Sequence, residues 1–529
     1  MQQSTSLQHT NVLIVGGSLV GLSAALFLSW RGVPTIVLEK HRGSALHPRA
    51  TGFTERTLEY FRAVGIAGQV PQIAPGTRLR RVRADSLAGM WHDETLWTPG
   101  ESAEHAGRAS PCTGAAIAQD RLEPILREEA TKRGADIRLG VEMLAFEQDG
   151  EGVTVRVRER DSLASYQIRA DYVIAADGAD SPIRAALGIG RQGVGRLRIL
   201  RSVLFCCPAA DAFLARGIQQ FEITQPQFKA FLTTYGDGRW VLMFDDDQER
   251  SESDLVNAVR AALGNDMPFD VLATGRWEMA GRIAERYGDG RIFLTGDAAH
   301  QLPPTRGGYG ANTGIEDAYN LAWKLDMVVK GHAAQALLET YSDERQPIGW
   351  LRHQQTFARP DYASWTDGAL LGQKLYANVA MELGQLIRSA AILGADEMLP
   401  PAAHPDEWKG QPGTRAPHVW IQSGEETLSR IDLFALSFVL ISQDERWVAA
   451  AKAASLALGI DVRTVLVGTD IHFPPDLSFT QCFGIADDGA SLVRPDGIIA
   501  WRSSDMSSNP MTTLRDALSI VAGCTDIMR

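Results

Sequence analysis

The chain has 529 residues, 45% hydrophobic and 22% charged, enough material for two or three ordinary globular cores. A formal net charge of −12 argues against sequence-independent nucleic-acid binding, which needs clustered Lys and Arg. Five cysteines (Cys112, Cys206, Cys207, Cys482, Cys524) show neither metal-ligand spacing nor Cys-x-x-Cys, so reduced cytoplasmic thiols and no metal site are expected. Residues 12–15 are apolar but follow a polar leader without a basic region, so no secretory signal is read. No uncharged apolar run reaches the roughly 18 residues that span a membrane.

Residues 11–15 form a β-branched run, expected as a buried parallel strand. Gly16-Gly17-Ser18-Leu19-Val20-Gly21 makes the turn, 22–30 a helix, and 35–38 a second strand closing on Glu39, a βαβ unit of ordinary size. His47-Pro48-Arg49-Ala50 falls in a loop, and 54–64 has helical spacing. Residues 75–115 mix alternating segments, 119–133 read as helix, and 137–146, 153–157 and 172–175 as strands. The pattern changes over 196–275. There 228–234 and 240–244 suggest antiparallel sheet joined at Gly236-Asp237-Gly238, and 254–263 a helix. A strand at 292–294 leads into Gly296-Asp297-Ala298-Ala299-His300, and a long helix is expected from about Thr313 to Lys330. Prolines near 400 break the chain. Beyond them, strands at 439–442, 462–467 and 498–501 and helices at 447–458 and 511–521 read as a separate α/β domain.

Four motifs carry chemistry. Gly16 to Gly21 reads G-x-S-x-x-G; the dinucleotide fingerprint has glycine where Ser18 stands, so that the backbone can approach a pyrophosphate. The preceding strand, the following helix and Glu39 at the end of the second strand support a nucleotide site: Glu39 to accept from ribose hydroxyls, the helix N-terminus at Ser18 to Val20 to face phosphate. Arg49 offers a guanidinium to phosphate or an anionic cofactor edge. Gln119, opening a helix, either contacts the cofactor or caps the helix. Asp177-Gly178 follows a strand, where Asp177 accepts hydrogen bonds from sugar or backbone. Asp297 can accept from a sugar-like chain, and Pro303 to Asn312 is a Gly-rich entry to a helix whose amides can grip an electron-rich carbonyl.

Together these residues resemble the class A flavoprotein aromatic hydroxylases, the single-component FAD monooxygenases of the para-hydroxybenzoate hydroxylase kind. The layout is most similar to the large bacterial polyketide hydroxylases of the aklavinone-11-hydroxylase type. Asp317 to Leu325, Tyr341-x-x-Glu344-Arg345 and Leu492-Val493-Arg494-Pro495-Asp496-Gly497 carry the similarity along the chain. The resemblance implies an α/β fold: a Rossmann-type, glutathione-reductase-like FAD domain in two parts (1–195 and 276–400), with some sheet segments near 75–115. An inserted antiparallel substrate sheet (196–275) and a thioredoxin-like tail (401–529), lacking a dithiol, complete it.

It also implies an FAD-dependent, NADPH- or NADH-consuming monooxygenase that uses O2 and hydroxylates a phenolic or polycyclic, polyketide-like aromatic through a flavin C4a-hydroperoxide. Glu39 and Lys40 would lie on the adenosine side, and Gly16, Ser18, Leu19, Val20 and Gly21 at the pyrophosphate. Arg49 would sit near the pyrophosphate and the mobile flavin, Gln119 at the ribityl or phosphate region, and Asp177-Gly178 would serve FAD and the transient NADPH site. Asp297 would hold the ribityl chain, and Pro304, Gly310, Ala311 and Asn312 the isoalloxazine edge. The flavin carries the chemistry, so no catalytic triad is expected; Arg49, His300 and Tyr309 are candidates for assisting it. Phe228, Phe231, Tyr235, Trp240 and Phe244 offer aromatic walls on the sheet, with Pro303 and Tyr309 at the flavin loop. Baeyer–Villiger oxygenation on the same scaffold, and a non-hydroxylating flavin-binding carrier of a biosynthetic intermediate, are the alternatives. Neither a nucleic-acid nor a membrane partner is expected.

Overall fold

The computed structural model describes residues 7–44, 50–74, 80–96, 109–246, 248–304 and 309–524. The chain opens with β1 (Gln8–Val15), α1 (Leu19–Trp30), β2 (Thr35–Glu39), α2 (Glu55–Ala63), β3 (Arg80–Ala84), β4 (Trp91–Leu96) and α3 (Gln119–Lys132). Then come β5 (Asp136–Leu139), β6 (Val141–Gln148), β7 (Val153–Glu159), β8 (Ser165–Ala175), β9 (Arg191–Cys206), β10 (Gln220–Gln225), β11 (Phe228–Thr234) and β12 (Arg239–Asp245). α4 (Glu252–Leu263), β13 (Asp270–Ala284), β14 (Ile292–Leu294), β15 (His300–Gln301), α5 (Tyr309–Val329) and α6 (Ala336–Phe357) follow. The last part holds β16 (Phe438–Ser442), α7 (Glu445–Leu458), β17 (Val462–Leu466), α8 (Phe479–Phe483), β18 (Ala490–Val493), β19 (Ile499–Ser503) and α9 (Pro510–Val521).

The first sheet centres on β14-β8-β1-β2-β5, all parallel, with β7 and β6 continuing antiparallel from β8. Strands covered on both faces are apolar throughout, and Val12, Leu13 and Ile14 are fully buried. α1 covers one face, burying Leu22, Leu26 and Phe27 between α3 and α5. The single strand expected over 137–146 is two. Gly140, at φ +73°, reverses the chain, so β5 pairs with β2 while β6 pairs with β7.

The second sheet runs β15-β13-β9-β12-β11-β10-β3-β4, with α4 packed on one face. Its strands β9 and β13 reach outside the expected 196–275 span, and β3 and β4 join from the 75–115 region. The third sheet has order β17-β16-β18-β19, with only the β16–β17 pair parallel, in β-α-β-α-β-β-α connectivity.

This last unit meets the rest through buried charge. Arg415 donates to both Glu59 oxygens (2.5 and 2.9 Å) and Arg494 to both Glu344 oxygens (2.7 and 2.9 Å). Asp496 accepts from Trp323 and Asn320, both at 3.1 Å. A cavity of about 30 Å³, lined by Arg56, Glu316, Asn320, Arg345, Arg415 and Asp496 among others, lies within this junction. Asn320 Oδ1 and Arg415 Nη1 have no protein partner there, so an acceptor and a donor face a space suited to water.

Candidate functional site

Three turns meet at the C-terminal ends of β1, β8 and β14, the crevice in which open parallel sheets bind ligands. β1 and β8 stay in register to Val15↔Ala175 and β8 and β14 to Ala175↔Leu294, so Gly16, Asp177 and Gly296 leave neighbouring strands at one level. Gly16 has φ +106°, and a Cβ there would lie 2.2 Å from the Ala176 carbonyl oxygen; the first two turns touch backbone to backbone. A Cβ on Gly314 would meet Val20 at 2.6 Å and the Gly296 Cα at 2.9 Å, so only glycine lets α5 close on α1 and the third turn. Both helices therefore begin at the crevice.

The polar groups there are partly unsatisfied. Asp177 Oδ2 accepts from the Ile183 amide at 3.2 Å, but Oδ1 is buried without a partner. Burial raises this carboxyl above its ordinary value, against the hydrogen bonds from Ser181 and Ile183. A buried acceptor left unpaired costs about 1–3 kcal/mol, a cost that an incoming hydroxyl removes. Asp297 is half-buried and its carboxylate makes no hydrogen bond among the described residues. A Cβ on Gly310, in the first turn of α5, would lie 3.9 Å from Asp297 Oδ1. Ser18 occupies the N-cap position of α1 without a side-chain cap, leaving the amides that follow to a ligand. Open amides beside open carboxylates suit a dinucleotide: phosphates at the amides, sugar hydroxyls at the carboxylates.

Other expected residues are more committed. Glu39 accepts from Gly17 N (2.7 Å) on one oxygen and His41 N (2.8 Å) on the other, keeping a second lone pair on each. Lys40 is exposed, Leu19 and Gly21 are buried, and Val20 is half-buried. The Ser18 hydroxyl donates to Glu123 Oε1 (2.6 Å), and Gln119 Nε2 donates to Ser18 Oγ (2.9 Å) and Glu123 Oε1 (2.7 Å). Asn312 Oδ1 accepts from the Thr57 hydroxyl (2.6 Å) and Thr54 N (3.0 Å), stitching α5 to α2. Ala311 is half-buried, Pro303 buried and Pro304 exposed. α5 starts at Tyr309 rather than near Thr313, so Gly310, Ala311 and Asn312 form its first turn. Arg49 and residues 305–308 lie outside the described residues.

Two candidates for assisting the chemistry are buried in the protein. His300 is fully buried, its Nε2 2.6 Å from Asp317 Oδ2, and Arg345 Nε donates to the other Asp317 oxygen at 2.8 Å. Burial would raise the Asp317 carboxyl, but His300 and Arg345 hold it below its ordinary value. The pair braces the turn, whose Gly296 amide reaches Asp317 at 3.4 Å. Tyr309 is buried among Leu351, Ala380 and Met381 with the Arg352 guanidinium over its ring, inside a core cluster.

The aromatic walls need correction. Side chains alternate along a strand. Phe244, Trp240 and Phe228 fall on the face packed against α4, where the Phe228 and Phe244 rings lie 5.8 Å apart. They form core rather than a chamber wall. The opposite face begins where Leu200 packs with Met279 and with Phe357 at the end of α6. Register places Ser202 and Phe231 beside Met243, and Leu204 and Thr233 beside Val241, on that same inner face. Tyr235 is half-buried at the hairpin end, with Arg239 over its ring; Arg239 also bonds Asp120 (2.6 Å), tying the hairpin to the start of α3. Burial pushes the Tyr235 phenol up, against Arg239.

Glu123 was not singled out in the sequence, although an acid between Leu122 and Leu126 on the buried face of α3, one turn after Gln119, is a readable signal.

A family model described as "FAD binding domain" matches residues 9–356, and one described as "Aromatic-ring hydroxylase, C-terminal" matches 409–524. The chain is 38% identical to tetracenomycin A2 monooxygenase-dioxygenase of Streptomyces glaucescens, covering 98% of each. It is 36% identical to 4-methyl-5-nitrocatechol 5-monooxygenase of Burkholderia sp., covering 96% of this chain and 97% of that protein. The crystal structure of aklavinone-11 hydroxylase in a ternary complex with FAD and aklavinone superposes with a TM-score of 0.87 at 34% identity, covering 97% of this chain and 99% of the other.

Proposed function

This chain belongs to the FAD-binding aromatic-ring hydroxylases, and from that premise we propose that it hydroxylates a fused-ring phenol of the polyketide kind, held between FAD and the inner face of the second sheet. It is an FAD-dependent aromatic monooxygenase with O2 and a reduced nicotinamide as co-substrates. The observation that carries the cofactor placement is that three turns leave neighbouring strands at one level beside a buried carboxylate oxygen, Asp177 Oδ1, that has no partner among the described residues.

The residues fit FAD. Amides opening α1 would receive the pyrophosphate. Glu39 would accept from the adenosine ribose, Asp177 and Asp297 from the remaining hydroxyls along the chain, and Lys40 would stay at the solvent edge. Gly310, Ala311 and Asn312 at the start of α5 would hold the electron-rich carbonyl edge of the flavin, where the positive end of the helix would favour negative charge. When bound and reduced, FAD supplies the oxygen activation; the protein supplies position, dryness and electrostatics.

Phe231 and Met243, half-buried side by side on that face, would offer apolar surface to flat rings, and the flexible thioether of Met243 would adapt to their outline. Tetracenomycin and aklavinone appear in the names of relatives, which favours fused rings; the nitrocatechol relative keeps single rings in view. We read the last unit as a thioredoxin-like brace: all five cysteines are free, and Cys482 and Cys524 belong to different core clusters.

The test is nicotinamide oxidation by the FAD-loaded enzyme with tetracyclic phenols and with substituted catechols, products being identified by mass and NMR. Stimulated oxidation by the tetracyclic set, with one hydroxyl added to an intact aromatic ring, is expected. Stimulation by catechols alone would replace the substrate class. A lactone product would indicate Baeyer–Villiger oxygenation, and FAD binding without stimulation by any aromatic would indicate a carrier.

A further inference from the structure

Ser18 stands where the dinucleotide fingerprint has glycine, and a side chain there would crowd a pyrophosphate unless it were directed elsewhere. Here it is directed toward α3. The hydroxyl donates to Glu123 Oε1 at 2.6 Å, and the Gln119 amide donates to both Ser18 Oγ (2.9 Å) and Glu123 Oε1 (2.7 Å). Gln119 is itself fixed by its backbone amide to Ala50 O (2.9 Å) and by its side-chain oxygen to Ala50 N (3.4 Å), the residue that follows Arg49. Glu123 is 1% exposed while Ser18 lies at the open mouth of the crevice, so the carboxylate grips the turn from beneath. A buried carboxylate next to a phosphate site opposes the ligand's charge, so its presence calls for a compensating role; two donors converging on one oxygen supply it.

We propose that Glu123 is a positioning residue of the pyrophosphate turn. It draws the Ser18 hydroxyl and the Gln119 amide toward α3, which keeps the first amides of α1 open to the phosphates despite the missing glycine. The inference rests on FAD occupying the β1–α1 turn.

The experiment measures the FAD dissociation constant of the apoprotein by quenching of flavin fluorescence, alongside the melting temperature of each apoprotein. The variants are Glu123→Ala, Glu123→Gln, Ser18→Gly and Ser18→Gly/Glu123→Ala. Glu123→Ala is expected to weaken FAD about tenfold with the apoprotein melting unchanged. Glu123→Gln, whose amide oxygen can still accept both bonds, is expected to stay within about threefold of the parent. The loss from Glu123→Ala should shrink to less than threefold in the Ser18→Gly background, where no hydroxyl needs holding. The proposal is overturned by unchanged affinity in Glu123→Ala, by an equal loss in Glu123→Gln, or by an undiminished loss in the Ser18→Gly background. If Glu123→Ala does not fold, the Glu123→Gln and Ser18→Gly results decide: a tenfold loss in Glu123→Gln overturns it and retained affinity supports it. A parent protein that takes up no FAD would instead overturn the cofactor placement.

Discussion

The dinucleotide crevice and the junction with the last domain are both rich in buried polar groups, yet they are built on opposite terms. In the junction, charges satisfy one another: Glu344 meets Arg494 and Lys324, Glu59 meets Arg415 and Arg56, and Arg494 also grips Asp496. In the crevice, Asp177 Oδ1 has no partner and Asp297 makes no hydrogen bond among the described residues. Burial alone therefore does not mark a binding site; unfilled hydrogen-bonding capacity at the ends of rigid strands does. In the junction the protein pairs its buried carboxylates itself, and the atoms left over, Asn320 Oδ1 and Arg415 Nη1, face only a small cavity.

The contrast can be broken most severely at Arg494, which is fully buried. Arg494→Leu leaves Asp496 buried without its cation and Glu344 with Lys324 alone, and should cost about 3–5 kcal/mol. Calorimetry or denaturant unfolding should register this loss, while FAD affinity per folded molecule stays within twofold. Next comes the face assignment on the second sheet. Phe244→Ala should cost about 3 kcal/mol as a core cavity and leave the aromatic substrate's KM unchanged. Met243→Ala, on the inner face, should shift KM several-fold at a smaller cost in stability. The reverse pattern would return Phe244 to the chamber wall.

Acid should dissolve the junction before the crevice. Burial would raise the carboxyls of Glu59, Glu316 and Glu344, but Arg415 and Arg56, Arg345 and Arg352, and Arg494 and Lys324 respectively hold them below their ordinary values. The folded chain thus binds fewer protons than the unfolded one, so this stability is complete above the ordinary carboxyl range of about 4–4.5 and is lost as pH falls through the lower folded values. Melting temperatures between pH 6 and 3 should fall with net proton uptake on unfolding; a flat profile would show that these pairs contribute little. The smallest effect is expected at Arg62, whose half-exposed bidentate pair with Asp432 (2.6 and 2.7 Å) crosses the same junction: Arg62→Ala should cost less than about 1 kcal/mol.

The first βαβ unit, the three motif turns and the last α/β unit were legible because each has a local signature: an apolar run, then Gly, then an acid or a helix. The inner face of the sheet was not. Phe228 and Phe244 are conspicuous by size, but alternation assigns them by parity, and parity cannot be anchored to a face until α4 is placed on one side. His300, a candidate for assisting the chemistry, pairs with Asp317, which Arg345 holds in turn; that network depends on contacts between α5, α6 and β15 that no local pattern encodes. Glu123 was hidden for a related reason: its partner Ser18 is 105 residues away, and only the packing of α1 on α3 brings them together.

The most direct measurement is FAD titration of the apoprotein, parent against Asp177→Ala and Asp297→Ala, with apoprotein melting recorded beside it. One FAD per chain in the parent, with affinity at least tenfold weaker in both variants and melting unchanged or raised, is the expected result. Equal affinity in all three proteins would contradict the placement of the cofactor at the ends of β1, β8 and β14.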